Sequence, residues 1–168
     1  RSAIEQVATL AALQFEQHRQ LSSGRSRLKS AVLTLLLLGE TDTAVSVSAA
    51  FNHHLPSDRI ILFSLGDTDS IAQETFEQLQ TLSSQLDAVL VGEHDDTVLL
   101  LTPPKHRARI AQFCVQMSLT AGVSRQHRLE NIADALTQAQ SAYRFARTTA
   151  RGKHVHEFAA QMSEGVTS

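Results

Sequence analysis

The chain has 168 residues, with 15 lysines and arginines against 17 aspartates and glutamates, and a formal net charge of -2. A hydrophobic fraction of 42% with 19% charged residues is ordinary for a folded domain and excludes wholesale disorder. The near-neutral charge argues against a chain that holds nucleic acid or anionic lipid by bulk electrostatics. A single cysteine excludes an internal disulfide framework and a thiolate-rich zinc site.

No apolar run approaches the roughly 20 residues that a membrane-spanning helix needs, and the chain lacks a signal-peptide pattern. The single cysteine suits a reducing compartment, so we expect a cytoplasmic protein without membrane association. Because Arg1 opens directly into helical sequence, we also expect this chain to be a fragment of a longer protein.

The first predicted element is a long helix over residues 1–38, where apolar residues recur at spacings of three and four. Small polar residues at positions 22–24 weaken it, and Gly39 suits the position that follows a helix end. The helix carries a second apolar stripe, so it needs a partner on two sides. We interpret it as a signalling or dimerisation helix, with packing against its own domain as the alternative.

The second predicted helix is short and spans residues 44–54, with Asp42 as its cap. Pro56 ends it, because proline restricts the preceding residue and stops a helix. The apolar run Arg59–Leu65 is typical of a buried strand. A further helix is predicted over residues 71–86, where apolar residues return to helical spacing.

A hairpin follows, with predicted strands at Asp87–Val91 and Thr97–Thr102 and a turn at residues 92–96. The order of strands and helices, β-α-β-β-α-β-α-β, predicts an α+β fold with a ferredoxin-like sheet and helices on one face. The long N-terminal helix precedes this sheet as a linker. The remaining predicted elements are a helix around residues 110–117, a strand at Ser118–Ser124, a helix at Leu129–Thr148 and a strand at Lys153–Phe158.

The hairpin turn carries the most prominent group of candidate site residues. Glu93, Asp95 and Asp96 lie in this turn, and Asp67 follows the first predicted strand. If the two strands are neighbours, these carboxylates have the chemistry for Mg²⁺ with substrate phosphates. The alternative is that aspartate and glycine simply form the turn. We therefore treat the four residues as weak candidates for ligand binding and assign no metal site.

Other reactive side chains lack a convincing pattern. His154 and His156 share a strand face, but a zinc site would need further ligands such as His127 or Glu157. Cys114 has apolar neighbours at helical spacing, which predicts a buried, inert thiol. The sequence contains no P-loop, no dinucleotide-binding glycine motif and no GxSxG nucleophile elbow. We therefore assign no catalytic residue and no cofactor.

Two adjoining segments, SLTAGVS at residues 118–124 and LENIADALTQAQSAYRFARTTARGKHVHEF at residues 129–158, resemble the end of a GGDEF domain. A narrower resemblance is to the degenerate GGDEF-like domain of PucR/CdaR-type bacterial transcription regulators. It rests on the order and spacing of three further segments, which are RLKSAVLTLLLLGE at residues 27–40, AAFNHHLPSDRIILFSL at residues 49–65 and LDAVLVGEHDDTVLLLTP at residues 86–103. The resemblance implies a helical linker over residues 1–42 and a degenerate GGDEF-like domain over residues 43–168.

The resemblance does not carry enzyme activity over to this chain. Diguanylate cyclases have two glycines, an acidic pair and an aromatic residue in the hairpin turn, where this chain reads Gly92-Glu93-His94-Asp95-Asp96-Thr97. A second glycine would let the backbone approach a guanine nucleotide, since any Cβ would intrude. Asp67 lies one or two residues later than the family's metal-binding aspartate, and residues 67–80 contain no lysine or arginine. Loss of GTP cyclisation is therefore implied, so we expect no enzyme.

What the resemblance implies is a non-catalytic regulatory and dimerisation module. Residues 1–22 would end an upstream sensor domain, and a C-terminal helix-turn-helix outside this chain would bind DNA. The expected partners are a second copy of the chain through the N-terminal helix and a small-molecule effector, as in regulators of purine or sugar-acid catabolism. The alternative is a sensory domain that binds a nucleotide or small molecule near Asp67, Glu93 and Asp95 without turnover.

Overall fold

The computed structural model describes residues 27–148 and 155–158. These residues form a mixed α and β structure around one sheet, which confirms the predicted fold class. Among them, no helix combines the length and apolar character that crossing a membrane requires. The elements are α1 over 27–37, α2 Thr41–Ala50, β1 Arg59–Asp67, α3 Gln73–Gln85, β2 Leu90–His94, β3 Thr97–Thr102, α4 Arg107–Gln116, β4 Ala121–Val123, β5 His127–Arg128, α5 Ile132–Thr148 and β6 Val155–Glu157.

The sheet has the strand order β2-β3-β1-β4-β6, and β5 pairs separately with the start of β1. Neighbours among the first four strands are antiparallel, whereas β6 runs parallel to β4 at the far edge. The four antiparallel strands reproduce the predicted ferredoxin-like arrangement. In this order β1 lies at the centre and β2 forms one edge of the described sheet.

Helices cover both faces of the sheet, which corrects the expectation that they lie on one face. The physical reason lies in β1, whose residues 60–66 are all buried. A strand with apolar side chains on both faces has to be covered on both faces. The two helices of the ferredoxin-like core, α3 and α4, lie on one face and pack against Ile61 and Phe63. On the opposite face, α1, α2 and α5 pack against Ile60 and Leu62.

The hairpin turn is shorter than the sequence predicted. Strand β2 begins at Leu90 and runs through Gly92 to His94, so only two residues connect it to β3. These are Asp95 and Asp96, whose φ angles are 48° and 61°. Two residues with positive φ between paired strands form the primed turn that matches strand twist, and aspartate is among the residues that tolerate it. Gly92 is therefore a strand residue and does not belong to the turn.

Other boundaries shift by a few residues. Helix α2 begins at Thr41, so Asp42 lies in its first turn and does not cap it, and Glu40 at the cap position makes no side-chain capping bond. The two-residue strand β5 was not predicted, because it is too short to show any periodicity. The first 26 residues, including the predicted sensor-domain end at 1–22, lie outside the described residues, as do Lys153 and His154 of the last predicted strand.

Candidate functional site

A pocket of about 380 Å³ lies at the tip of the β2–β3 hairpin. Three elements contribute to it: the hairpin itself, α1 from one face of the sheet and α3 from the other. The pocket therefore curves around the outer edge of β2. Its lining residues are Arg27, Ser30, Phe76, Gln80, Gly92, Glu93, His94, Asp95 and Asp96.

Three of the four candidate residues line this pocket. Glu93, Asp95 and Asp96 are all exposed to solvent, and the Asp95 side chain is 88% accessible. The Nε2 atom of His94 lies 3.3 Å from an Asp95 carboxylate oxygen. Because these carboxylates are exposed to water, their charge is strongly screened.

Asp67 does not join them. The pairing of β1 with β3 shifts between Ser64 and Asp67, because β1 contributes one more residue than β3 across a bulge at Gly66. The bulge places Asp67 opposite Thr97, on the sheet face that also carries Leu62 and Leu99. Strand β3 therefore separates Asp67 from the edge strand and its pocket. The contact to the turn is a backbone one, from the Thr68 N–H to the Asp96 carbonyl at 2.8 Å.

Within residues 27–148 and 155–158, no three histidine, cysteine or acidic side chains come together in a way that could hold a metal ion. The residues considered for zinc are engaged in other contacts. Glu157 accepts a hydrogen bond from the Arg107 guanidinium at 2.6 Å, and His127 lies 2.9 Å from the Gln138 amide oxygen. His156 stacks on Phe145, with ring centroids 4.6 Å apart. These contacts fasten β5, β6 and α5 to their neighbours.

The open side of Gly92 is covered by α1. A Cβ placed on Gly92 would lie 3.2 Å from the Ser30 Cα and 3.4 Å from the Lys29 carbonyl oxygen. The Glu93 N–H donates to the Ser30 hydroxyl at 3.0 Å, which fixes the helix at the strand edge. The lack of a side chain at Gly92 thus lets the backbone of α1, a helix of the same chain, come close to β2. A planar base would find this side of Gly92 occupied.

A second contact ties α1 to α3 around the same strand edge. The Lys29 ammonium donates to the Gln80 amide oxygen at 3.1 Å. The Gln80 amide nitrogen is buried and has no hydrogen-bond partner among the described residues. Phe76 lies one helical turn before Gln80 and gives the pocket an aromatic wall. Lys29 and Gln80 could not be recognised from the sequence, because single polar side chains on a helix form no motif.

His53 lies in the loop that follows α2 and stacks on Phe51, with ring centroids 6.0 Å apart. Burial, and then the charge of Lys29, lower the pKa of His53 below its ordinary value. Its Nε2 atom is buried and has no partner in the part of the chain that the structure describes. The lowered pKa favours the neutral imidazole.

The prediction for Cys114 is confirmed. Its side chain is fully buried on α4, and burial raises the pKa of the thiol to about 12. The thiolate, which is the reactive form, is therefore negligible near neutral pH. Cys114 belongs to the core that α3 and α4 form on the sheet.

A search of curated proteins finds no match to the chain. Among solved structures, the chain is similar to the crystal structure of a regulator of polyketide synthase expression from Bifidobacterium adolescentis, with a TM-score of 0.51 and 14% sequence identity. The match covers 77% of this chain and 54% of that chain, so this chain spans about half the length of that protein. At this identity the likeness concerns the fold alone.

The sequence profile of the GGDEF-like domain matches residues 38–145, which is well over half of the chain. The matched range runs from the end of α1 to the last turns of α5 and includes the four antiparallel strands and the hairpin. The chain therefore belongs to the GGDEF-like domain family.

Proposed function

We propose that this chain is a non-catalytic regulatory and dimerisation module of a PucR/CdaR-type bacterial transcription regulator. The observation that carries the proposal is the hairpin. Where a diguanylate cyclase would present two glycines to its nucleotide, this chain has Gly92 and Glu93. Because α1 packs against Gly92 at the distances given above, the side of Gly92 that faces α1 is closed to a base.

The architecture of the similar structure supports a place within a longer regulator. That protein is a regulator of polyketide synthase expression, and about half of its chain lies beyond the matched part. We propose that DNA is bound by a separate helix-turn-helix domain, and that this module relays a signal to it. Cys114 is a free, buried thiol, which is consistent with our placing the protein in the cytoplasm.

Dimerisation through the N-terminal helix remains part of this proposal. The described part of that helix, α1, buries one side in its own domain and leaves Leu28 43% exposed. Leu28 lies one turn before the buried Val32, at the flank of the docked face, and an apolar residue exposed there suits contact with a second copy. The signal would be a population shift between two arrangements of the dimer, biased by an effector bound elsewhere.

The test is the molar mass of the whole chain across a range of concentrations, measured by sedimentation equilibrium. We expect a dimer that dissociates when residues 1–24 are deleted and weakens in Leu28→Ser. A matched control is Val115→Ser, which alters an apolar residue of similar exposure on α4. A monomer mass at every concentration would contradict dimerisation through this helix.

The second candidate function is a sensory domain that binds a nucleotide or another small molecule without turnover. The hairpin pocket favours it, because an aromatic wall, an unpartnered amide nitrogen and carboxylates surround about 380 Å³. Sites for small molecules commonly begin at this size.

Calorimetric titration with GTP and with ATP, each with Mg²⁺, separates the two functions when the mixture is then assayed for cyclic products. We expect neither heat nor product, which supports the protein–protein module. Heat without product, lost in Glu93→Gln but retained in Asp67→Asn, would make the pocket a sensory site. Asp67 is the matched control because it is exposed and acidic but does not line the pocket. Cyclic product would overturn both functions.

A further inference from the structure

Helix α1 is attached to the domain in two chemically different ways. Its apolar residues Val32, Leu33 and Leu36 are at most 2% exposed and belong to the core beneath α5. One turn earlier, Lys29 and Ser30 contact the domain through hydrogen bonds at the hairpin edge. The same helix therefore has an apolar anchor and a polar contact next to it.

The hydrogen bond between Glu93 and Ser30 is weak because it is exposed to water. The Glu93 N–H and the Ser30 hydroxyl lie at the exposed edge of β2, and water can replace either partner. The apolar anchor has no such replacement, because lifting it would expose three large side chains to water. Separating residues 27–30 from the domain would break this bond and the part-buried bond from Lys29 to Gln80, while residues 32–36 stay in the core. Openings of this local kind are ordinary in folded proteins.

Gly92 makes this contact sensitive to small movements. A Cβ on Gly92 would meet the Ser30 Cα at 3.2 Å, so a shift of α1 towards the strand would narrow a spacing that is already small. Glu93 follows directly, and its N–H points to the sheet edge where Ser30 accepts it. Movement of the chain that precedes residue 27 would thus reach the hairpin at one defined hydrogen bond.

We propose that residues 27–30 form a latch on the hairpin. The latch closes over Gly92, bonds the Glu93 N–H, and opens independently of the core, widening the pocket between α1 and α3. That this movement carries a signal rests on the proposed regulatory function. The latch itself depends only on the fold. Closed, it also covers the backbone of an edge strand that would otherwise be free to pair with another chain.

Amide hydrogen exchange measured by NMR on the whole chain tests the latch. In the unaltered protein we expect the Glu93 N–H to exchange at least about tenfold faster than the N–H of Leu100, which lies in the central strands and opens only with the core. Equal exchange rates for Glu93 and Leu100 would overturn the latch, because Glu93 would then open only on global unfolding.

Ser30→Ala removes the acceptor while keeping a strong helix former, and we expect Glu93 exchange to rise about two- to tenfold with Leu100 unchanged. The matched control is Ser84→Ala on α3, an exposed helical serine bonded only to its own helix, which should change neither amide. An unchanged Glu93 rate in Ser30→Ala would also overturn the latch. Because Leu28 belongs both to the latch and to the proposed dimer contact, exchange is measured at a concentration where the mass measurement fixes the oligomeric state. A failed latch then leaves the proposed regulatory function to that mass measurement.

Discussion

Substituting Gly122 by alanine should destabilise the domain strongly, and the reason lies in how α5 crosses β4. A Cβ on Gly122 would overlap the Ala139 carbonyl oxygen and the Tyr143 backbone nitrogen, and would lie 2.7 Å from the Tyr143 Cα. All three atoms belong to the helix backbone, so no side-chain rotation can relieve the overlap. The helix as a whole would have to move away from the sheet.

The expected loss follows from two opposing terms. Overpacking a filled interior costs about 1–3 kcal/mol, and a clash with rigid backbone belongs at the upper end of that range. Replacing a strand glycine by alanine returns about 0.5–1 kcal/mol, because alanine loses less conformational freedom on folding. The net expectation is a loss of about 2 kcal/mol in unfolding free energy. For a chain of this size that corresponds to a fall of roughly 4–8 °C in Tm.

Urea unfolding followed by circular dichroism measures this free energy, with Gly92→Ala as the matched control. Gly92 is also a strand glycine, but a Cβ there meets nothing closer than 3.2 Å. We expect Gly92→Ala to stay within about 1 kcal/mol of the unaltered protein, since the entropy gain offsets a small displacement of α1. If Gly122→Ala unfolds within about 0.5 kcal/mol of the unaltered protein, the close packing of α5 on β4 is wrong.

Three further substitutions test other features. Ser124→Ala leaves the buried Leu62 N–H without its acceptor and should cost about 1–3 kcal/mol in urea unfolding, whereas the exposed Ser84→Ala should cost almost nothing. His53 has a pKa lowered from 6.5, so the unfolded chain binds its proton first, and stability should fall as the pH drops through 6.5 towards the folded-state pKa. His53→Gln should flatten that slope in melts between about pH 7 and 5, and an unchanged slope would refute this role of His53. Asp96→Gly relieves a φ of 61° in the turn and should raise Tm by about 1–2 °C, and a lower Tm would contradict the primed turn.

The sequence predicted the order of helices and strands because long apolar runs and helical periodicity are local signals. The apolar run in β1 also indicates that both faces of the sheet are covered, which the prediction of helices on one face left out. A strand with no polar alternation has no solvated face, so helices on both faces follow from Arg59–Leu65 alone. The two-residue strand β5 gave no such signal, since its pairing with Arg59 and Ile60 depends on tertiary structure.

The candidate site was only partly predictable for a related reason. Carboxylates such as Glu93 and Asp95 are conspicuous in a sequence, and three of the four candidates do line the pocket. The other walls come from α1 and α3, and the Ser30–Glu93 contact joins residues 63 positions apart. Nothing local marks such a pair. The strand order that separates Asp67 from the pocket, and the bulge at Gly66 that sets its partner on β3, are likewise visible only once the strands are paired.

The single remaining glycine of the hairpin has a structural explanation that does not involve a nucleotide. In the cyclase arrangement a glycine leaves room for a base, and that room has no use once the second glycine is replaced by Glu93. Here the same room is filled by the backbone of α1, and the N–H of Glu93 provides the bond that holds it. A side chain larger than alanine at position 92 should therefore disturb the packing of α1 on the strand, whether or not the pocket binds a ligand. Because α1 packs on Gly92 and bonds Glu93, the proposed function leads us to expect that the hairpin transmits a signal and does not catalyse a reaction.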